Sequence, residues 1–400
     1  MISIRPGVVP DRTALLPEPP SAASERLPRH VAPGVPEVGT RFSTLIVQPA
    51  TLCNLDCAYC YLPGRQRQAL MPVKVAQRLA VSIAEQNSRF PVEVVWHGGE
   101  PLTTPVSHMR ALLGPFEPLR RDGRVGHAIQ TNATLINQGW IELIREHEVR
   151  VGVSIDGPPQ LNRIRADRRG RPSFTRTMRG IGLLRQAGIE FAVICVVTVD
   201  GIDRADELLA FFAELGCRSV GFNIEEQEGL NAHREQVTVE QAQRFWRRLW
   251  QLSPRYPDLH IRDLDRLRGY LHRARAGQRS PDPQYDPIPT IATTGQTVLL
   301  SPELLGVTAA HYQDFVIGNV LTRSLPELLT APAPGYVTEF RQGLRRCAAE
   351  CEFWDFCRGA QASNRYFEHG HFDTTETNHC RTTYQAVVRA ALDLTQGDTR

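Results

Sequence analysis

Between residues 43 and 252 short apolar runs alternate with longer amphipathic ones, and this alternation limits the fold more than any other feature of the chain. Runs at 43–48, 92–96, 125–130, 150–155, 190–198 and 219–224 have the length and β-branched content of buried strands. Segments at 73–86, 137–146, 175–186, 204–215 and 239–252 have helical spacing. Six strands alternating with helices predict a parallel sheet with right-handed crossovers, open or curled into a partial barrel. Ligands of such sheets gather at the C-terminal ends of the strands, so residues just after each strand deserve scrutiny.

Cysteines come first among them. Seven of the nine fall into two groups. CNLDCAYC follows the first strand and places Cys53, Cys57 and Cys60 in a CxxxCxxC pattern. Three thiolates on one short loop can hold three irons of a cubane [4Fe-4S] cluster and leave the fourth iron without a protein ligand. A closed zinc site wants four ligands and commonly begins CxxC, and only His97 is placed to complete one here. The second group is CAAECEFWDFC plus a lone cysteine: Cys347, Cys351, Cys357 and Cys380. Four thiolates suit tetrahedral zinc and a fully ligated iron–sulfur cluster equally. Cys195 and Cys217 lie in or beside strands and read as small buried apolar residues.

Other polar residues recur at the same strand ends. HGGEP follows the second strand: Gly98 and Gly99 let the backbone approach a ligand, Glu100 offers an acceptor to an ammonium group, and an ordinary tight turn is the plain alternative. Asn132 in QTNATL and Ser154 with Asp156 in SIDG follow the third and fourth strands; they can reach hydroxyls or a carboxylate, or act as helix caps and turn formers. Arg165 lies in the next loop. Glu225 and Glu226, ending the sixth strand, read either as a solvated surface pair or as a base, and no catalytic residue is assigned.

The CxxxCxxC loop with Tyr59 before its last cysteine, followed by HGGEP through Pro101, resembles the radical S-adenosylmethionine (SAM) superfamily. The second cysteine group resembles the distal auxiliary cluster of the SPASM family, radical SAM proteins with a C-terminal iron–sulfur extension. The resemblance implies an α/β fold: a partial (β/α)6 barrel with a SPASM-like extension. It further implies a [4Fe-4S] cluster on Cys53, Cys57 and Cys60, and one auxiliary [4Fe-4S] cluster on Cys347, Cys351, Cys357 and Cys380. SAM would sit against Tyr59, Gly98, Gly99, Glu100, Pro101, Asn132, Ser154, Asp156 and Arg165, its amino group at the glycine turn and its carboxylate toward Arg165. The chain departs from the SPASM pattern at Leu300, where a cysteine is expected five residues after Gly295, and again at 358–363, which holds none. The nearer auxiliary cluster is therefore expected to be lost, while FVIGNV at 315–320 keeps the surrounding scaffold.

LCNLDCAYCYLP, SIDGP and GFNIEEQEG are similar to maturases of ribosomally made peptides, particularly those that form three-residue cyclophanes or act on glycine-rich repeat precursors. That likeness implies oxidative crosslinking of an aromatic side chain to a neighbouring β-carbon in a precursor peptide. An electron donor such as flavodoxin or ferredoxin is implied as a second partner. Thioether-forming or epimerising maturases and radical enzymes acting on small metabolites share these motifs.

A formal charge of +3 is too small to suggest nucleic-acid binding, and the arginines of 163–171 read as a solvated or substrate-facing loop. No apolar run spans a bilayer and no secretion signal opens the chain, so no membrane partner and a cytoplasmic location are expected. The expected organisation is a proline-rich, loosely packed extension at 1–41, the barrel at 42–252, a connection at 253–290 and the SPASM-like domain at 291–400. No winged-helix domain fits ahead of the barrel, so a leader peptide would use the barrel's outer edge, the connection or a separate protein.

Overall fold

A computed structural model describes residues 36–278 and 284–397. In chain order the elements are β1 (Thr44–Val47), α1 (Val73–Gln86), β2 (Val92–Trp96), α2 (Val106–Leu113), β3 (Val125–Thr131), α3 (Gln138–Glu146), β4 (Arg150–Ser154), α4 (Phe174–Gln186), β5 (Phe191–Val197), α5 (Ala205–Leu215), β6 (Ser219–Ile224) and α6 (Val239–Leu252). Then follow β7 (His260–Ile261), α7 (Arg262–Arg275), β8 (Thr290–Ile291), β9 (Gln296–Val298), β10 (Gly318–Asn319), α8 (Leu325–Thr330), α9 (Gly335–Glu350), α10 (Ala362–His369) and α11 (Ala386–Gly397).

All ten strands form one sheet in the order β10-β9-β8-β1-β2-β3-β4-β5-β6-β7. From β8 through β7 every pairing is parallel. The order from β1 to β7 follows the chain without a reversal, and consecutive helices touch their neighbours, as in a sheet wrapped around one side. The two outer strands, β10 and β7, do not pair, so the barrel is partial.

Local sequence explains the elements. Strand centres are β-branched or aromatic and buried, as at Val94, Val95 and Trp96. Helices turn one apolar stripe inward: Val75, Leu79 and Ile83 in α1, Phe245, Trp246 and Leu249 in α6. Thr238 caps α6 in a reciprocal capping box with Gln241.

Three features depart from expectation. Residues 101–121 form α2 and shorter helical turns, which periodicity does not reveal because Pro105, Gly114, Pro115 and Pro118 interrupt it. The stretch read as a connection contributes β7 to the sheet and the 14-residue helix α7. Residues Glu37–Val38 pair in parallel with Gln284–Tyr285, and Val38 is buried, so the end of the proline-rich segment is packed. The prolines from Pro6 to Pro33 lie outside the described residues. Among the described residues no helix is long and apolar enough to cross a membrane.

Candidate active site

The cysteine loop leaves β1 and is held by backbone bonds rather than by secondary structure. Cys53 N donates to Arg65 O at 2.8 Å, Asp56 N to Ala166 O at 2.7 Å and Ala58 N to Ile164 O at 3.1 Å. Gly99, at φ +63°, lies where a Cβ would stand 2.7 to 2.8 Å from the carbonyl oxygens of Ala50, Thr51 and Leu52. Its lack of a side chain thus lets the HGGEP turn pack on the cysteine loop.

Glu100 is buried and accepts from Leu102 N (3.0 Å), Thr131 Oγ1 (2.6 Å) and Asn132 N (2.7 Å). Burial raises its pKa against those three donors. Three of its roughly four acceptor sites are thereby filled from within the protein, so the carboxylate fixes the strand ends β2 and β3 to each other. Pro101 is buried beside it and opens a single turn. Asn132 forms a turn through Thr134 N (3.0 Å) and donates to Asn54 Oδ1 (2.9 Å), tying β3 to the cysteine loop.

A second network joins β4 to the same loop. Asp156 is buried, accepts from Tyr59 OH at 2.7 Å and Val196 N at 3.0 Å, and lies 3.7 Å from Arg165. Arg165 also donates to Tyr59 OH. Burial works against the guanidinium, but Tyr59, Cys57 and Asp156 outweigh it and keep it charged. Asp156 therefore holds Tyr59 and Arg165 in place, and its oxygens are engaged by the protein. Ser154 accepts from Gln130 Nε2 at 2.8 Å.

The residues present fit a cluster and SAM. Arg165 Nε is buried without a hydrogen-bond partner, which leaves a donor free for an anionic ligand. Burial pushes the Cys53 thiol up to about 12 and the Cys57 thiol up to about 11, so these sulfurs ionise only when a metal supplies the opposing charge. His97, the conceivable fourth zinc ligand, is lowered to about 4 by burial, and its Nε2 sits 3.5 Å from Tyr61 OH.

Cys347, Cys351, Cys357 and Cys380 line one small cavity with Phe353 and Tyr384. Their positions come from the end of α9, the turn after it and the start of a π-helical turn at Cys380. Among the described residues no three His, Cys, Asp or Glu side chains converge as a single ion requires. Four thiolates around one cavity suit a four-iron cube, which puts each thiolate on a different metal. Arg365, 2% exposed, lies with its Nη2 3.4 Å from Cys347 Sγ and also donates to Gly359 O and Phe372 O. Nothing in the sequence marked it. Leu300, where the SPASM pattern has a cysteine, is buried among apolar side chains. Cys195 and Cys217 are buried in the main core.

Between the two cysteine groups lies a set of carboxylates. Glu225 is buried and paired with Arg234, and Glu226 is half-buried with His379 at 3.2 Å and the amide of Asn364, so neither is a freely solvated surface residue. Glu228, also buried, accepts from the same amide at 3.2 Å. Burial, then Glu226 and Glu303, push Glu228 well above the usual carboxylate range. Burial also raises Glu303, which accepts from Ser301. Burial would raise Glu226 too, but His379 and Asn364 hold it low. Tyr61, next to Cys60, faces Glu303, Glu228 and Glu226. Asn231 links the group to the cysteine loop, donating to Tyr59 O and Glu226 O, each at 2.8 Å. Folding alone gathers these residues; the only sequence signal was EEQEG.

A curled parallel sheet with a three-cysteine loop at the C-terminal end of its first strand defines an enzyme that uses an open iron–sulfur cluster. The chain belongs to the radical SAM superfamily, whose family model matches residues 47–212. It is similar to the uncharacterized protein sll1766 of Synechocystis sp., with 33% identity over 87% of this chain and 90% of that one. The serine-type anaerobic sulfatase-maturating enzyme of Bacteroides thetaiotaomicron is 31% identical over 44% of this chain and 45% of its own length, so that match spans about half of each. Among solved structures, anSMEcpe with bound AdoMet superposes with a TM-score of 0.72 at 18% identity, covering 88% of this chain and 98% of that one. Streptococcus suis SuiB bound to precursor peptide SuiA gives 0.63 at 16% identity, covering 85% and 76%. The enzyme is thus a radical SAM oxidoreductase of this fold, with a [4Fe-4S] cluster and SAM as its cofactors.

Proposed function

We infer that this enzyme modifies a ribosomally made precursor peptide, joining an aromatic ring to a neighbouring β-carbon. Support comes from the sequence likeness to peptide maturases, from the polypeptide substrates named for relatives and structural neighbours, and above all from the buried carboxylates between the two cysteine groups. Cys53, Cys57 and Cys60 would hold the cluster, Arg165 and the Gly98–Gly99 turn would orient SAM, and Cys347, Cys351, Cys357 and Cys380 would hold the auxiliary cluster. When bound, cluster and SAM supply a 5'-deoxyadenosyl radical that removes a hydrogen atom from carbon.

Closing a bond onto an aromatic ring leaves the ring with a proton and an electron to lose, and the auxiliary cluster that Cys347, Cys351, Cys357 and Cys380 would hold would supply the one-electron acceptor. Glu303 and Glu226, both partly exposed, can accept that proton at a carboxylate oxygen, and the buried Glu228 behind them can share it. An external one-electron carrier of flavodoxin or ferredoxin type would reduce the enzyme, in the cytoplasm.

Anaerobically reconstituted enzyme, given SAM, a reductant and the aromatic-containing peptide encoded beside its gene, should release a product lighter by two hydrogens. Unchanged peptide alongside turnover of a small metabolite defeats the proposal. Glu228→Gln should still form deoxyadenosine, including label transferred from a β-deuterated peptide, while crosslinked product falls by about 10²-fold.

A further inference from the structure

A positive charge lies buried beside the second cysteine group with no carboxylate to balance it. Arg365, in α10, is 2% exposed. Its guanidinium donates to Gly359 O and Phe372 O, each at 3.1 Å, and stands over the face of Phe340, 4.8 Å from the ring centre. Those partners are neutral, and among the described residues no carboxylate pairs with it. The neighbour that can carry a negative charge is Cys347 Sγ, 3.4 Å from Nη2. Room for the guanidinium is built into α9: a Cβ on Gly343, one helical turn before Cys347, would collide with Arg365 Nη1. Arg165, at the first cysteine group, differs, because Asp156 lies 3.7 Å away and offsets its charge. An unbalanced charge is costly to bury, so buried guanidiniums are normally paired. Here the pair is completed once Cys347, Cys351, Cys357 and Cys380 hold a cluster, because four thiolates make that group anionic and each electron it gains makes it more so.

We propose that Arg365 is a positioning residue that raises the reduction potential of the auxiliary cluster, so that this cluster takes up an electron more readily than its four thiolates alone would allow. Cluster potentials follow net charge, hydrogen bonds to the sulfurs and solvent exposure, and Arg365 acts on the first two. Its burial adds to the effect, since little water screens the charge. The inference rests on the assignment of the four cysteines to a cluster, made above, and holds for any bond the enzyme forms. A structural tie between the turn after Cys357 and the segment at Phe372 is the plain alternative. Such a tie needs hydrogen-bond donors but no charge.

The test is a redox titration of the anaerobic holoenzyme followed by electron paramagnetic resonance, with SAM present to set the signal of the cluster it binds apart from the auxiliary one. Wild type is compared with Arg365→Gln and Arg365→Met, two replacements that remove the charge, and with Arg365→Lys, which keeps it. A midpoint belongs to each cluster formed, so it is read even where a variant holds less iron. Without the charge, the one-electron reduction equilibrium of the auxiliary cluster should fall about tenfold or more, each tenfold being about 59 mV toward lower potential. Arg365→Lys should stay within about threefold of wild type, and the midpoint of the SAM-binding cluster should not move. An auxiliary midpoint unchanged in the Gln and Met variants overturns the proposal. So does an equal fall in Arg365→Lys, which would trace the effect to packing rather than charge. Wild-type enzyme with about four irons and a single cluster signal would instead remove the auxiliary cluster itself, a failure of the assignment that the other two results cannot imitate.

Discussion

The two cysteine groups hold their sulfurs by opposite means. The first puts three cysteines on one loop, pinned by main-chain bonds to 164–166 and by Gly99 packing on residues 50–52. The second draws four cysteines from three separate segments around one cavity, with the buried Arg365 against Cys347. One arrangement leaves a coordination position for a non-protein ligand and comes to the surface at Ala58; the other closes on itself. The contrast teaches that reactivity here comes from withholding a ligand, and that the withheld ligand is possible because backbone contacts, not a fourth side chain, keep the loop in shape.

The sharpest way to break this contrast is to remove one thiol from each group. Cys57→Ala should abolish SAM cleavage and lower bound iron by about four per chain. Cys351→Ala should remove a similar amount of iron yet leave SAM cleavage within about tenfold, with peptide product lost. Equal loss of SAM cleavage in both would mean that the groups do not divide the work.

Arg165→Lys comes next: a lysine keeps the charge but not the planar fork, and SAM affinity should weaken about 10- to 100-fold by equilibrium binding. Arg365→Lys should leave SAM binding unchanged and reduce only the iron held at the C-terminal group.

Two glycines offer a smaller, purely steric comparison. Gly99→Ala forces a Cβ to 2.7 Å from backbone oxygens, and Gly343→Ala forces one to 2.7 Å from Phe372 O and into Arg365. Each should cost about 2–4 kcal/mol by denaturant unfolding. The first should disturb SAM binding and the second only the C-terminal iron.

The weakest effect expected is in acid–base behaviour of the metal-free protein, where the two regions should respond with opposite sign. His127, in β3, is lowered by burial to about 3, so its contribution is present above its ordinary 6.5 and is lost as pH falls toward 3. His379 is raised: burial opposes its charge, but Glu226 prevails. Its contribution is therefore present below 6.5 and is lost as pH rises through its elevated value. Urea midpoints across pH should lose the acid limb of this dependence in His127→Gln and the alkaline limb in His379→Gln.

Much of the barrel was legible because strand and helix periods are local properties. The stretches 73–86 and 92–96 match α1 and β2 at both ends. Helix α2 was hidden by prolines and glycine, and α7 by an arginine-rich sequence whose buried face is only Leu264 and Leu267. At the site, spacing was enough to single out the cysteines, whereas the work of Glu100 and Asp156 depends on Thr131, Tyr59 and Val196, which reach them only after folding. Glu228 owes its raised pKa to burial, to Glu226 and to Glu303, which lies 75 residues further along the chain, and Glu303 owes its own to burial and Glu226; no local pattern carries that information.

Strand β8 pairs with β1 at Thr290↔Ile46 and Ile291↔Val47, immediately before the cysteine loop departs. A polypeptide emerging from the ribosome therefore finishes the barrel's first edge late, after the six alternating units have been made. A chain cut after α6 would leave that flank of β1, the strand that carries the three-cysteine loop, without its hydrogen-bonded neighbour.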